Sequence, residues 1–280
     1  MTAGAGMTPA LRLRVPVLMY HEIAPASETS SRLAVTPEAF AEQIAYLHNA
    51  GFETVTAARL AEIMAGQAEW LPGRLPNRVV VLTFDDGFED FHRRALPVLD
   101  EYGFTATVFV TSGWVQDAGP HAAGRRPGRM LSWSQIAEIS QAGIEIGAHS
   151  WQHPQLDQLR GGVLHEELYA SKAHLEDRLG GPVPGLAYPF GYSSARVRRV
   201  AREAGYGYGC AVTNTMLNGR ADLLALPRLT VRRSTSLWTF QDVAHGRNVP
   251  AIFLKDRALT KGYAIARRAR ATVGGLSRDQ

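Results

Sequence analysis

Apolar positions along this chain follow two periods. Val79 to Phe84 is an unbroken β-branched and aromatic run bounded by Asn77 and Gly87, the pattern of a strand buried on both faces in a parallel sheet. Thr105 to Val110 and Gly143 to Ala148 read as further strands. Phe40 to Ala50, Phe91 to Tyr102 and Ser134 to Gln141 instead space their apolar residues close to the helical period and stop ahead of Gly51, Gly103 and Gly143. Strand and helix patterns in alternation predict β/α units around parallel strands. The Pro- and Gly-rich stretches Leu71 to Asn77 and Gly113 to Met130 predict loops. Arg125, Arg126 and Arg129 on the second could border a groove.

The length of 280 residues and the hydrophobic share of 45% suit one α/β barrel with one core. No internal repeat stands out. Cys210 is the only cysteine, so no intramolecular disulfide can form. Its apolar neighbours, Gly207 to Val212, predict a buried strand position with nothing to stabilise a thiolate. The formal charge of +4 is partly gathered in Lys255 to Arg270, where Arg257, Lys261, Arg267, Arg268 and Arg270 interleave with Leu259, Tyr263 and Ile265. Such a segment could rest on an anionic membrane surface or polymer. The plainer expectation is a solvated tail helix packed by its apolar stripe. No nucleic-acid-binding motif is present. Met1 to Arg14 is small and polar without an apolar h-region, and no apolar stretch reaches 18 residues, so a cytoplasmic location is expected. The expected division is an N-terminal extension over 1–14, a catalytic domain over 15–250 and a basic, helical tail over 251–280.

Candidate chemistry sits where strands end. Asp85 and Asp86 follow the apolar run directly and precede Gly87, which places both acids at the carboxyl rim where α/β folds bind ligands. Successive side chains at a strand end diverge, so one acid can hold a metal while its neighbour stays free. Asp-Asp-Gly also suits a plain turn. Two adjacent acids repel, however, and call for positive charge nearby. His149 and His153, four positions apart in His-Ser-Trp-Gln-His-Pro, begin where another strand ends. One helical turn would bring both rings to one face, although Pro154 favours a turn over a regular helix. Together these residues offer three nitrogen or oxygen ligands and a spare carboxylate, the requirement of a mononuclear hydrolytic metal centre.

Thr83-Phe84-Asp85-Asp86-Gly87 and His149-Ser150-Trp151-Gln152-His153 resemble the first two motifs of the polysaccharide deacetylase family, the NodB-homology group of carbohydrate esterases. The similarity runs from about Val15 to about Val231. It implies a distorted (β/α) barrel of seven strands, an α/β fold in a single domain. It also implies that Asp85 is the catalytic base and that Asp86, His149 and His153 hold a divalent metal ion. Two imidazoles and one carboxylate suit Zn²⁺ best, with Co²⁺ or Ni²⁺ as alternatives.

Two departures from the family pattern shape the expected site. In the family's third motif, usually Arg-x-Pro-Tyr, this chain has Ala187-Tyr188-Pro189-Phe190-Gly191, so the arginine that would steady the base is replaced by Ala187. Arg228, in Leu226 to Val231, could approach from a later strand end and do the same work, or could make a surface salt bridge. Phe190 is expected to offer its backbone N–H to an oxyanion, a role indifferent to its side chain. After Val231 the only histidine is His245, in a setting unlike the usual late acid motif. Val15 to Ile23 instead resembles the circularly permuted branch acting on poly-N-acetylglucosamine, which implies His21, at the end of a first strand, as the general acid. Tyr188 and Trp133 are the expected sugar-contacting aromatics, with Trp151, Tyr192 and Trp238 as further candidates.

The implied reaction is hydrolytic removal of N-acetyl groups from an N-acetylated amino sugar, polymeric or small, with release of acetate. A same-fold hydrolase cutting another C–N bond, such as a cyclic amide or imide, is the alternative. A non-catalytic carbohydrate-binding relative would be expected to have lost a ligand or the base, and all four of Asp85, Asp86, His149 and His153 are present.

Overall fold

A computed structural model describes residues 14–68, 78–219, 221–260 and 262–263. The strands are β1 (Arg14–Val15), β2 (Val17–Tyr20), β3 (Glu53–Thr54), β4 (Val79–Phe84), β5 (Thr107–Val110), β6 (Glu145–Ala148), β7 (Gly185–Ala187), β8 (Tyr208–Val212), β9 (Leu217–Asn218) and β10 (Leu226–Thr230). The helices are α1 (Pro37–Asn49), α2 (Ala57–Met64), α3 (Leu96–Glu101), α4 (Trp133–Gln141), α5 (Gly161–Leu179), α6 (Ala195–Glu203), α7 (Leu237–Ala244) and α8 (Val249–Ile252).

Parallel pairing runs β2-β10-β8-β7-β6-β5-β4 and closes through β4 and β2, with Val17 opposite Val81 and Tyr20 opposite Phe84. The result is the expected (β/α)7 barrel. The short β3 joins β4 at Val79 and Val80, and β1 and β9 form an antiparallel pair.

Alternate residues of a strand face opposite ways, so each barrel strand feeds two cores. Val17, Val81, Phe109, Ala187, Tyr208, Cys210 and Leu226 fill the barrel, while Leu18, Leu82, Val108, Leu186 and Leu229 face the surrounding helices. The barrel is narrow: a Cβ at Gly147 would run into the Phe109 ring, and one at Gly185 into Tyr208. This apolar plug forces polar inward positions to the two mouths. At the carboxyl mouth the next inward positions are His21, Asp85, His149 and Arg228.

Helix boundaries depart from the apolar periodicity where caps and proline intervene. α1 begins three residues before Phe40 because Thr36 accepts from the Ala39 N–H and Pro37 occupies the first turn. The segment after the aspartates opens with a wide π-type turn, Leu96 N–H donating to Phe91. Pro97, one position later, has no N–H with which to continue a regular ladder. Cys210 is buried in β8 as expected. Leu71 to Asn77, the N-terminal extension before Arg14 and most of the basic tail lie outside the described residues. Residues 254–260 are helical. Among the described residues no helix is long and apolar enough to cross a membrane.

Candidate active site

Asp85 lies immediately past β4 and points into the barrel mouth, where it is 3% exposed. Arg228, the middle residue of β10 and fully buried, grips it with both ends of the guanidinium: Nη1 donates to Oδ1 at 2.6 Å and Nη2 to Oδ2 at 2.8 Å. Nη1 also reaches Thr83 Oγ1 at 3.2 Å, and that hydroxyl donates to the Leu18 carbonyl. This fork geometry is the strong form of a charge-assisted hydrogen bond. Burial alone would favour a neutral Asp85, but Arg228 outweighs it, followed by His149, and holds the carboxyl far below the usual range. The arginine missing at Ala187 is thus replaced in space by one from β10, two strands away in the ring.

Asp86 turns the other way. Its φ of 74° places it in the left-handed region, a costly conformation for a residue with a side chain that rotates the carboxylate toward the histidines. Oδ1 stands 3.4 Å from His149 Nε2 and 3.4 Å from His153 Nε2. It is buried without a hydrogen-bond partner. Ligand atoms of Asp86, His149 and His153 all lie within 4.8 Å of one another. His149 Nδ1 is 2.8 Å from the Ala187 carbonyl, which fixes that nitrogen as donor and leaves Nε2 as the free electron pair. A partnerless buried carboxylate oxygen facing two imidazole nitrogens is what a divalent cation fits.

The electrostatics agree with that grouping. Burial disfavours a charged His149, yet Asp85 and Asp86 overcome it and raise its proton affinity. His153 is pushed down to about 4, first by burial and then by His149. Burial works to raise Asp86, but contact with His149 and the positive charge available on His21, His149 and His153 lower it.

The histidine segment is a turn, as Pro154 suggested. Ser150 and His153 both have φ of 62°, and His153 N–H donates to Ser150 Oγ at 3.0 Å. Its organiser was not evident from the sequence: Glu167 on α5 is buried and accepts from the Trp151 and Gln152 N–H groups at 3.0 and 2.9 Å. A glutamate on the inner face of an otherwise ordinary helix is the signal that could have drawn attention to it. Asn214 was also missed. It has φ of 51°, donates its N–H to the Arg228 carbonyl and accepts from Thr230 N–H, tying the ends of β8 and β10 together.

Asp85, Asp86, His149, His153, His21 and Phe190 share one cavity of about 450 Å³, together with Tyr192 and Asn214. His21 Nδ1 is buried without a hydrogen-bond partner. Phe190 has φ of 59°, in the turn after β7, and its half-exposed ring packs 4.8 Å from that of His153.

The structure corrects the expected sugar-contacting aromatics. Tyr188 does not line the cavity: Ala187 faces inward, so the next residue faces outward, and Tyr188 is fully buried with its hydroxyl donating to the Leu224 carbonyl. Trp133 opens α4 and lies under the Arg178 guanidinium, away from the cavity. Trp151 and Trp238 do not line it either, and Tyr192 does. Arg125, Arg126 and Arg129 stay outside it as well.

Comparison with known proteins agrees with this fold. The polysaccharide deacetylase family model matches residues 73–209. The fold resembles Streptococcus pyogenes deacetylase PplD in complex with acetate, with TM-score 0.72, 25% identity, and coverage of 83% of this chain and 99% of that one. It also resembles IcaB from Ammonifex degensii, with TM-score 0.69, 27% identity, and coverage of 83% and 97%. The poly-beta-1,6-N-acetyl-D-glucosamine N-deacetylase of Escherichia coli (strain K12) is 24% identical over 168 residues. That match takes in 57% of this chain but spans only 24% of the Escherichia coli protein.

Proposed function

We propose that the protein hydrolyses N-acetyl groups from N-acetylglucosamine-containing glycans, releasing acetate and a free amine. The observation that carries this reading is an aspartate clamped by arginine beside an Asp-His-His cluster in a single cavity.

Asp85 is the base. Arg228 keeps it ionised, and each carboxylate oxygen retains a lone pair able to take a proton. The same clamp makes Asp85 a weak base, suited only to water that is already acidified. A divalent cation on Asp86, His149 and His153, most simply Zn²⁺, would supply that Lewis acidity, lowering the pKa of water from about 15.7 to about 7. Asp85 takes a proton as the water oxygen attacks the acetyl carbon. The Phe190 N–H donates to the carbonyl oxygen as negative charge gathers there. Protonated His21 then gives its proton to the nitrogen as the C–N bond breaks. An amide depends on this last transfer more than an ester does, because nitrogen leaves poorly as an anion.

The test is acetate release from acetylated sugars of graded size by enzyme loaded in turn with Zn²⁺, Co²⁺ and Ni²⁺. Metal-dependent acetate release is expected. Bound metal with turnover of cyclic amides or imides and no acetate would transfer the site to the other C–N chemistry, and absence of both would leave a carbohydrate-binding protein.

A further inference from the structure

The segment beyond α8 was expected to be a solvated tail helix packed by its apolar stripe, and of that stripe Leu259 and Tyr263 fall among the described residues. Val249 and Phe253 root it in the core, each 3% exposed, and residues 254–260 continue as helix. Asp256, Leu259, Thr260 and Tyr263 all line the cavity that holds Asp85, Asp86, His149 and His153. Their spacing of three, four and seven is that of one helical face. Arg232, two residues past β10 and itself a lining residue, pairs with Asp256 at 3.0 Å. Thr260 Oγ1 donates to the Asp256 carbonyl at 2.8 Å. The face is therefore held against the strand end that carries Arg228.

Leu259 and Tyr263 are the informative pair. Each is 59% exposed while lining that cavity. A helix stripe that served only packing would bury these two side chains. Here they stay exposed and line the same cavity as the catalytic groups, with Asp256 and Thr260 between them on that face. Apolar surface with a few placed polar groups is the usual lining of a small-molecule site, and an aromatic face matches the C–H face of a pyranose ring. Neither residue belongs to the groups assigned to the acetyl carbonyl, water or departing nitrogen, so what they would touch is the bulk of the sugar.

We propose that this helical face is the specificity wall of the site, with Tyr263 and Leu259 forming an apolar platform for the sugar ring next to the acetylated one. The preferred substrate is then an N-acetylglucosamine oligomer or chain end of at least two rings, not the free monosaccharide. This rests on the deacetylase reading above.

Steady-state kinetics of the full-length, metal-loaded protein on β-1,6- and β-1,4-linked N-acetylglucosamine oligomers of one to six units tests it. Wild-type KM should fall about tenfold or more from monomer to trimer. Tyr263→Ala combined with Leu259→Ala should raise the trimer KM about tenfold, with a smaller change in kcat, and Tyr263→Phe should keep the wild-type length preference. Thermal melts recorded alongside show whether the variants fold, as expected for exposed side chains. A wild type indifferent to length, or a double variant with wild-type trimer KM, overturns the wall. If the wild type releases acetate from none of these sugars, the deacetylase reading fails, and the platform is judged by calorimetric binding of the trimer. Binding that weakens in the double variant sustains the platform, and absent or unchanged binding ends it.

Discussion

The barrel holds a carboxyl group at each mouth and treats the two in opposite ways. At the carboxyl end Asp85 meets a full positive charge in Arg228 and stays ionised. At the amino end Glu145, the first residue of β6, meets the neutral hydroxyls of Thr107 and Tyr208 and the Ala58 N–H. Burial dominates there, and these contacts only partly offset the rise in its pKa. Backbone strain follows the same division. Of the described non-glycine residues with positive φ, Asp86, Ser150, His153, Phe190 and Asn214 border the carboxyl mouth, and Asn248 lies between α7 and α8. A carboxyl out of water stays ionised where it has a charged partner, and is pushed toward its neutral form where it has only hydroxyls and an N–H.

The sharpest way to break this contrast is at the anion itself. Asp85→Asn should lower kcat/KM for acetylated oligomers by about 10³-fold, in the range of a lost general base, while metal content measured by plasma mass spectrometry stays at the wild-type level. His149→Ala should lose the metal and the activity together, and a D85N protein that also lost its metal would show that the two aspartates do not divide their labour. Arg228→Met should cost about 3–5 kcal/mol, because it leaves Asp85 charged and unpaired. Thermal melting should then show a drop on the order of 10 °C, and adding Asp85→Asn should recover part of it. His21→Ala should slow amide turnover by about 10²-fold while hydrolysis of an activated acetate ester suffers far less. Equal losses on both substrates would remove His21 from the acid role.

The smallest effect concerns the amino mouth and is read as a pH slope. A carboxyl whose folded pKa is raised contributes stability that is present below its ordinary value, here 4.5, and lost as pH rises toward the folded value. Asp85, with a depressed pKa, does the reverse: its contribution is present above the ordinary 3.8 and lost only in strong acid. Glu145→Gln should therefore leave Tm almost unchanged at pH 4 and raise it by about 2–4 °C at pH 8, corresponding to about 1 kcal/mol. A Glu145→Gln melt that tracks the wild type at both values would mean that the two mouths do not differ in sign.

Much of this site was legible before any coordinates, because the informative residues sit next to strands whose apolar runs are unmistakable. Asp85, Asp86, His149 and His153 each follow such a run within a few positions, and strand ends of a parallel barrel gather on one rim. Arg228 was harder, since its meeting with Asp85 joins two strands that both flank β2 and depends on closure, which no local pattern encodes. Glu167 was missed for a similar reason: it acts from a helix on a turn about fifteen residues away. Tyr188 was misread although the parity was available, because a residue flanked by an inward Ala187 must itself point outward. In the tail, periodicity reveals which residues share a face and not what that face meets.

The Asp85–Arg228 pair joins positions 143 residues apart, and β10, which carries the arginine, lies between β2 and β8 in the closed ring. A nascent chain that has made β4 but not yet received β10 holds an aspartate with no guanidinium and an unfinished pocket. Completion of the Asp85–Arg228 pair thus arrives together with ring closure.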